Sequence, residues 1–245
     1  DLDPHIQAVV HRNQTEAQTR TLFDSCRELG FGGINIDLIY GLPEQRMGTW
    51  EKTIETIIDI HPDRLAVYSY AHLPDKLKHQ RKLDGYYLPS GPEKYELFAR
   101  ARQMFLAAGY RAIGMDHFAL PEDELSIALD ERRLHRNFMG YTVVPGTDML
   151  GLGVSSIGEI GGSYAQNEKR PVTYYKAIDE GRLPTAAGID LTQDDQIRRW
   201  TIRQLMCNFY LDFATLESRY GVHYADYFAQ EDAALGEFIR DGFLV

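Results

Sequence analysis

Three times between residues 15 and 115 a stretch of helical periodicity stops at a glycine or proline and gives way to a short apolar run of strand character. The first helix is signposted from Thr15: Thr15 and Gln18 have capping-box spacing, Leu22, Phe23, Cys26 and Leu29 share one face, and Gly30 suits the left-handed position that ends a helix. A strand over Ile34–Tyr40 follows at once. The second helix, from about Thr49, turns Trp50, Ile54, Ile57 and Ile58 inward, stops before Pro62 and leads into a strand over Arg64–Tyr70. The third, from about Pro92, buries Leu97, Phe98, Ala101, Met104, Phe105 and Ala108, then passes through Gly109 into Tyr110–Met115. Repeated helix-to-strand units with short connections predict a parallel sheet with helices outside it, as a barrel or an open doubly wound sheet. No GxGxxG follows a strand, so the dinucleotide-binding form of the open sheet loses its main support.

The composition suits such a fold. Of 245 residues 44% are hydrophobic and 11% aromatic, enough for a sizeable core. With 36 acidic against 26 basic side chains the net charge is -10, which argues against non-specific attraction to nucleic acid or to an anionic membrane. The two cysteines, Cys26 and Cys207, each lie in a helical pattern and read as apolar packing in a reducing cytoplasm; no pair has metal-ligand spacing. There is no signal peptide and no run near the roughly 20 apolar residues of a membrane span. The abrupt ends, Asp1-Leu2-Asp3-Pro4 and Asp241-Gly242-Phe243-Leu244-Val245, suggest an internal piece of a longer protein.

Parallel α/β folds bind ligands at the carboxyl ends of their strands, which selects the segments "YGLPEQ", "YAHLP", "MDHFAL" and the glycine-rich "GLGVSSIGEIGG", Gly151 to Gly162. Asp37, in the apolar run "INIDLIY", needs partners if buried. It could bind ligand hydroxyls, or be satisfied by backbone donors or by an arginine such as Arg12; spacing alone does not choose. Asp116-His117 could be a metal site, an acid and base, or a polar loop anchor, and adjacent strand residues converge only through a turn. His135-Arg136-Asn137 suits carboxylate recognition and equally a solvated turn. The glycines of "GLGVSSIGEIGG" permit close backbone approach to a ligand but match no phosphate-binding loop. Tyr68, Tyr70, Tyr86 and Tyr87 read as core packing before a stacking platform. From about Ser163 the texture turns helical, with a short helix over Thr173–Glu180 and a longer one capped by Thr192 and Asp195, so a second domain is expected. Its close, Leu235–Val245, has the pattern of a winged-helix ending, without a basic recognition helix.

The stretches "VVHRNQ", "GINIDLIYGLPEQ", "PDRLAVYSYAHLP", "GYRAIGMDHFALPEDEL", "LHRNFMGYT", "TDMLGLGVSSIGEIGGSYAQN" and "LTQDDQIRRWTIRQLMCNFYLDF" occur in order across nearly the whole chain. Together they resemble one family, the radical S-adenosylmethionine enzymes called oxygen-independent coproporphyrinogen III oxidase or dehydrogenase. "IDLIYGLP" is shared more widely, whereas "GMDHFA" with "HRNFMGYT" is specific. The haem-chaperone branch of the same scaffold typically carries an "HNxxYW"-like stretch where this chain has His135–Tyr141.

The resemblance implies an α/β fold: residues 1–162 as the carboxyl-terminal part of a partial (β/α)6 barrel, and residues 163–245 as a mostly helical domain that stops before its end. It implies two cofactors, S-adenosylmethionine and a four-iron four-sulfur cluster (4Fe-4S) on a CxxxCxxC loop. It also implies a tetrapyrrole substrate, an electron donor for the cluster, and an intact enzyme that is monomeric and cytoplasmic, without nucleic-acid or membrane partners. Two propionates of coproporphyrinogen III would become vinyl groups by way of a 5'-deoxyadenosyl radical. The family's S-adenosylmethionine contacts carry over to Arg12, Asp37, Ala71 and Ile157. The CxxxCxxC loop is absent, so no metal ligand is expected in this chain, which by itself should be inactive. The alternatives are a haem or tetrapyrrole carrier on the same scaffold, another tetrapyrrole-directed radical enzyme, and an unrelated barrel enzyme using Asp116 and His117.

Overall fold

The computed structural model describes residues 1–144 and 148–245. Thr147, the first residue of the quoted "TDMLGLGVSS" stretch, lies outside them. The chain divides into two compact units, Asp1–Glu131 and Arg132–Val245.

The first unit runs α1 (Pro4–Val9), α2 (Glu16–Glu28), β1 (Asn35–Tyr40), α3 (Met47–Ile60), β2 (Arg64–Ser69), a 3-10 turn (Lys78–Leu83), α4 (Gly91–Ala107), β3 (Arg111–Gly114), β4 (His117–Ala119) and α5 (Glu124–Asp130). Local signals fix the helix ends. Thr15 and Gln18 form a reciprocal capping box on α2, and Ser90 with Glu93 does the same for α4. Gly30 and Gly109 follow the helix ends at φ 86° and 92°, where a side chain would be strained.

The sheet has the order β1-β2-β4-β3, with β1 and β2 parallel and β4 antiparallel to both neighbours. The three expected strands therefore point the same way, but they do not form a continuous parallel sheet. Met115, at φ 47°, and Asp116 make a tight turn that folds β4 back between β2 and β3.

Register and the two-residue period of strands assign the faces. Leu38, Leu65, Val67 and Phe118 pack against Trp50, Ile54 and Ile57 of α3 and Leu97, Ala101 and Phe105 of α4. Each such side chain removed from water contributes about 1.5–3 kcal/mol. Asn35, Asp37 and Ile39 lie on the other face of β1 and are exposed. Only one face of the sheet carries this core, which is unlike a doubly wound sheet. Helix α2 also departs from expectation: Phe23 packs against the core, but Leu22 and Leu29 are 61% and 77% exposed. Ion pairs tie strands to neighbouring segments, Arg64 to Asp123 at 2.7 Å and Arg27 to Asp63 at 2.6 Å.

The second unit contains a two-stranded hairpin, β5 (His135–Asn137) and β6 (Gly140–Thr142), and a three-stranded antiparallel sheet, β7 (Ile157–Ile160), β8 (Ser163–Asn167) and β9 (Thr185–Asp190). Helix α6 (Pro171–Asp179) lies between β8 and β9 in sequence; α7 (Gln193–Asn208), α8 (Phe213–Tyr220), α9 (Tyr224–Tyr227) and α10 (Ala229–Arg240) follow. Thr192 and Asp195 cap α7 as expected. Ile197 of α7, Leu216 of α8 and Phe228 form a small core with Trp200 beside it. The expected boundary at 162/163 falls on the turn joining β7 to β8, a hairpin paired from Ile157–Gln166 to Ile160–Ser163, whereas the compact units divide at 131/132. Cys207 is buried, and burial pushes its thiol pKa up, as suits apolar packing; Cys26 is half-buried.

Candidate functional site

A cavity of about 1020 Å³ runs along β1 in the first unit and takes lining from both faces of that strand, Asp37 and Ile39 from one and Leu38 from the other. Among the described residues β1 pairs only with β2, and Tyr68 of β2 also lines the cavity. Arg12 and Asp37, the two residues expected to act together, both line it. Arg12 lies beyond α1, where His11 at φ 54° turns the chain and the Arg12 amide donates to the Gln7 carbonyl at 2.9 Å. Among the described residues no ion pair joins Arg12 to Asp37. The Asp37 carboxylate accepts instead from the Asn35 side-chain amide at 2.7 Å, two residues away on the same face. The expectation that Asp37 is a buried strand carboxylate in need of compensation is therefore corrected: it is solvated on the face that the helical core does not cover.

Two buried glutamines shape the loops at the strand ends. Gln45, 1% exposed, accepts from the Gly41 amide at 2.5 Å and donates to the Ile39 carbonyl at 3.2 Å, closing the "YGLPEQ" turn. Gly41 sits there at φ 77°, and a Cβ would collide with the Lys94 side chain. Lys94 in turn donates to the Tyr70 carbonyl at 2.6 Å. Gln80, 6% exposed, accepts from the Leu73 amide at 2.5 Å and donates to the Ala71 carbonyl at 3.0 Å. Ala71 is thus exposed on a loop whose backbone is held by a residue lining the cavity. The sequence gives little signal for either glutamine, because an amide reads as surface until the backbone groups it serves are brought together.

Tyr68 and Tyr70 also line the cavity rather than the core, and burial raises the Tyr70 pKa. Tyr87 lies under the Arg46 guanidinium, 3.2 Å from its ring centroid, and hydrogen-bonds Glu93. Hydrogen bonds from Ser90, then Tyr87, hold the Glu93 carboxyl down at about 2. Asp116 and His117 do converge, because Asp116 sits in the tight turn and His117 opens β4 directly after it: Asp116 Oδ1 lies 2.7 Å from His117 Nδ1, and His117 stands edge-on to Tyr68. The register places His117 opposite Ala66, on the same face as Asp37.

In the second unit Ile157 opens β7, paired with Gln166. The glycines around it serve backbone packing. A Cβ on Gly151 would come within 2.9 Å of the Ile157 carbonyl, and one on Gly158 within 2.9 Å of the Met149 carbonyl. His135-Arg136-Asn137 form β5; Asn137 is taken up by its own turn, accepting from the Met139 amide at 2.8 Å. His135 Nδ1 is buried without a hydrogen-bond partner, and burial, then the charge of Arg203, lowers its pKa. Among the described residues no group of three His, Cys, Asp or Glu side chains could hold a metal ion, and no helix is long and apolar enough to cross a membrane.

Helices on one face of a mixed sheet, with a ligand-sized cavity lined by Arg12 and Asp37 and with Ala71 on the loop after β2, make an α/β scaffold of the partial-barrel class. The family model for the HemN C-terminal domain matches residues 191–245. Oxygen-independent coproporphyrinogen III oxidases are similar throughout: that of Escherichia coli is 45% identical over 99% of this chain and 53% of its own length, that of Pseudomonas aeruginosa 43% over 100% and 53%, and that of Thermostichus vulcanus 40% over 100% and 75%. The solved structure of coproporphyrinogen III oxidase (HemN) from Escherichia coli, a radical SAM enzyme, superposes with a TM-score of 0.95 at 44% identity, covering 99% of this chain and 56% of that one. The chain belongs to the oxygen-independent coproporphyrinogen III oxidase family and spans about half the length of most of these relatives.

Proposed function

We propose that this chain contributes the S-adenosylmethionine-binding wall and the carboxyl-terminal region of an enzyme that converts two propionates of coproporphyrinogen III to vinyl groups, giving protoporphyrinogen IX for haem synthesis without oxygen. The observation that carries this reading is the likeness to the Escherichia coli oxidase, a TM-score of 0.95 at 44% identity along the chain. The cavity supports it with a cation and a carboxylate, Arg12 and Asp37, in its lining. A zwitterionic ligand with ribose hydroxyls suits that pair: the guanidinium matches a carboxylate and Asp37 accepts from hydroxyl or ammonium groups. Ala71 offers a backbone contact just past the end of β2; Ile157 enters the reading by the family resemblance alone. Arg12, Asp37 and Ala71 would hold S-adenosylmethionine, which when bound and reductively cleaved would supply the hydrogen-abstracting chemistry that a propionate decarboxylation needs.

The described residues do not fit the second cofactor. Cys26 and Cys207 stand singly on helices, and no cluster of candidate ligands exists among the described residues. We place the four-iron cluster, and the electron donor that reduces it, outside this chain, in a monomeric cytoplasmic enzyme. The test is anaerobic incubation of the intact enzyme with coproporphyrinogen III, S-adenosylmethionine and a reductant, with the porphyrins separated by chromatography. A divinyl product is expected. Cleavage of S-adenosylmethionine without any vinyl product would transfer the assignment to another tetrapyrrole or to a carrier.

A further inference from the structure

The 3-10 turn Lys78–Leu83 sorts its side chains by threes. With three residues per turn, positions i and i+3 eclipse, so 78 and 81, 79 and 82, and 80 and 83 form three ridges. The cavity is lined by His79, Gln80, Lys82 and Leu83, while Lys78 and Arg81 do not line it. Arg81 instead approaches Asp75 at 3.6 Å. The ridge of Gln80 is the anchor, tied to Ala71 and Leu73. The ridge of His79 and Lys82 therefore faces the cavity from a turn whose position is fixed. Among the described residues neither Lys82 nor Arg12 has a carboxylate within ion-pair distance. Of the cavity's acidic side chains, Asp37 is engaged by Asn35, and Asp1 by Gln45 and Thr53. Two cationic points thus line one space without internal partners, and Tyr68 and Tyr70 add aromatic surface to it.

We infer that Lys82, with His79 beside it, recognises a propionate carboxylate of the tetrapyrrole, separately from the carboxylate of S-adenosylmethionine at Arg12. This deepens the proposed function and rests on it. A lysine is a point charge with three donors on a flexible stem, which suits a carboxylate arriving on a propionate arm. Gln80 couples the ridge to Ala71, so the loop that meets one ligand also positions the group that meets the other.

The test measures binding of two probes to the intact enzyme, coproporphyrin III by fluorescence and S-adenosylmethionine by calorimetry, in the wild type and in Lys82→Ala, Lys82→Arg and His79→Gln. Circular dichroism checks that each variant is folded. Lys82→Ala is expected to weaken coproporphyrin III about tenfold, the scale of one charge-assisted hydrogen bond, with Lys82→Arg restoring most of it and S-adenosylmethionine unchanged. Porphyrin binding that is tight and indifferent to all three substitutions would overturn the ridge and leave the proposed function standing. Weakening confined to S-adenosylmethionine would also overturn it, assigning the ridge to the cofactor. A wild type that binds S-adenosylmethionine but no porphyrin would overturn the substrate and the ridge together.

Discussion

Asp37 looks costly when the run Ile34–Tyr40 is imagined buried on both faces, and it escapes that cost because β1 offers only one face to the helical core. Its carboxylate is solvated and oriented by Asn35, so removing it should leave the fold intact and affect binding alone. Asp37→Ala in the intact enzyme is expected to weaken S-adenosylmethionine about tenfold without moving the midpoint of denaturation; unchanged affinity in calorimetry would remove Asp37 from the site. Tyr110 is the opposite case. It is 2% exposed and donates to the Pro62 carbonyl at 2.7 Å, and burial, then the charge of Asp63, pushes its pKa up to about 12 from 10. A raised folded-state value means that the stability held below pH 10 is lost as the pH climbs toward 12. Tyr110→Phe should cost about 1 kcal/mol at neutral pH and flatten that alkaline loss. Urea midpoints measured across pH 9 to 12 check both signs.

At the scale of elements, close backbone packing in the second unit depends on Gly158. A Cβ there would meet the Met149 carbonyl oxygen at 2.9 Å and the Gly151 amide nitrogen at 3.2 Å, both backbone atoms that cannot swing aside. Gly158→Ala is expected to destabilise this unit by about 1–3 kcal/mol in chemical denaturation; a neutral result would show that the Met149 bridge yields easily. Elements whose cause is local were legible in the sequence. The capping boxes of α2 and α7 and the glycines after α2 and α4 act through neighbours a few residues away. Strands β4 and β9 were not legible: β4 is three residues long, and every residue of Thr185–Asp190 is exposed, leaving no apolar alternation to read. The pattern of α2 identified its apolar face but not what covers it. In the candidate site, Arg12 and Asp37 were singled out by a motif resemblance that carries single residues across, and both line the cavity. Gln45, Gln80 and the Asp116–His117 contact follow from turns and backbone partners that only the folded chain brings together.

For the whole molecule, the proposed balance of cofactors is uneven: the cavity is the proposed place for S-adenosylmethionine, whereas no ligand set among the described residues suits iron. Anaerobic treatment of this chain with iron and sulfide should therefore give no stable absorption near 400 nm after desalting and no deoxyadenosine with a reductant present. A cluster that survives gel filtration would overturn that expectation. The sheet order carries a consequence for how the protein is made. β4 stands between β2 and β3, although it leaves the ribosome after both, so the sheet cannot be laid down strand by strand in the order of synthesis. The β3–β4 hairpin closes over Met115 and Asp116 and can form early from near neighbours, whereas its docking on β2 must bring together residues far apart along the chain. Until Ala119 has been translated, the inner edge of β2 is a row of bare amides and carbonyls, and that interval is when a nascent chain is most open to chaperones or to another copy of itself.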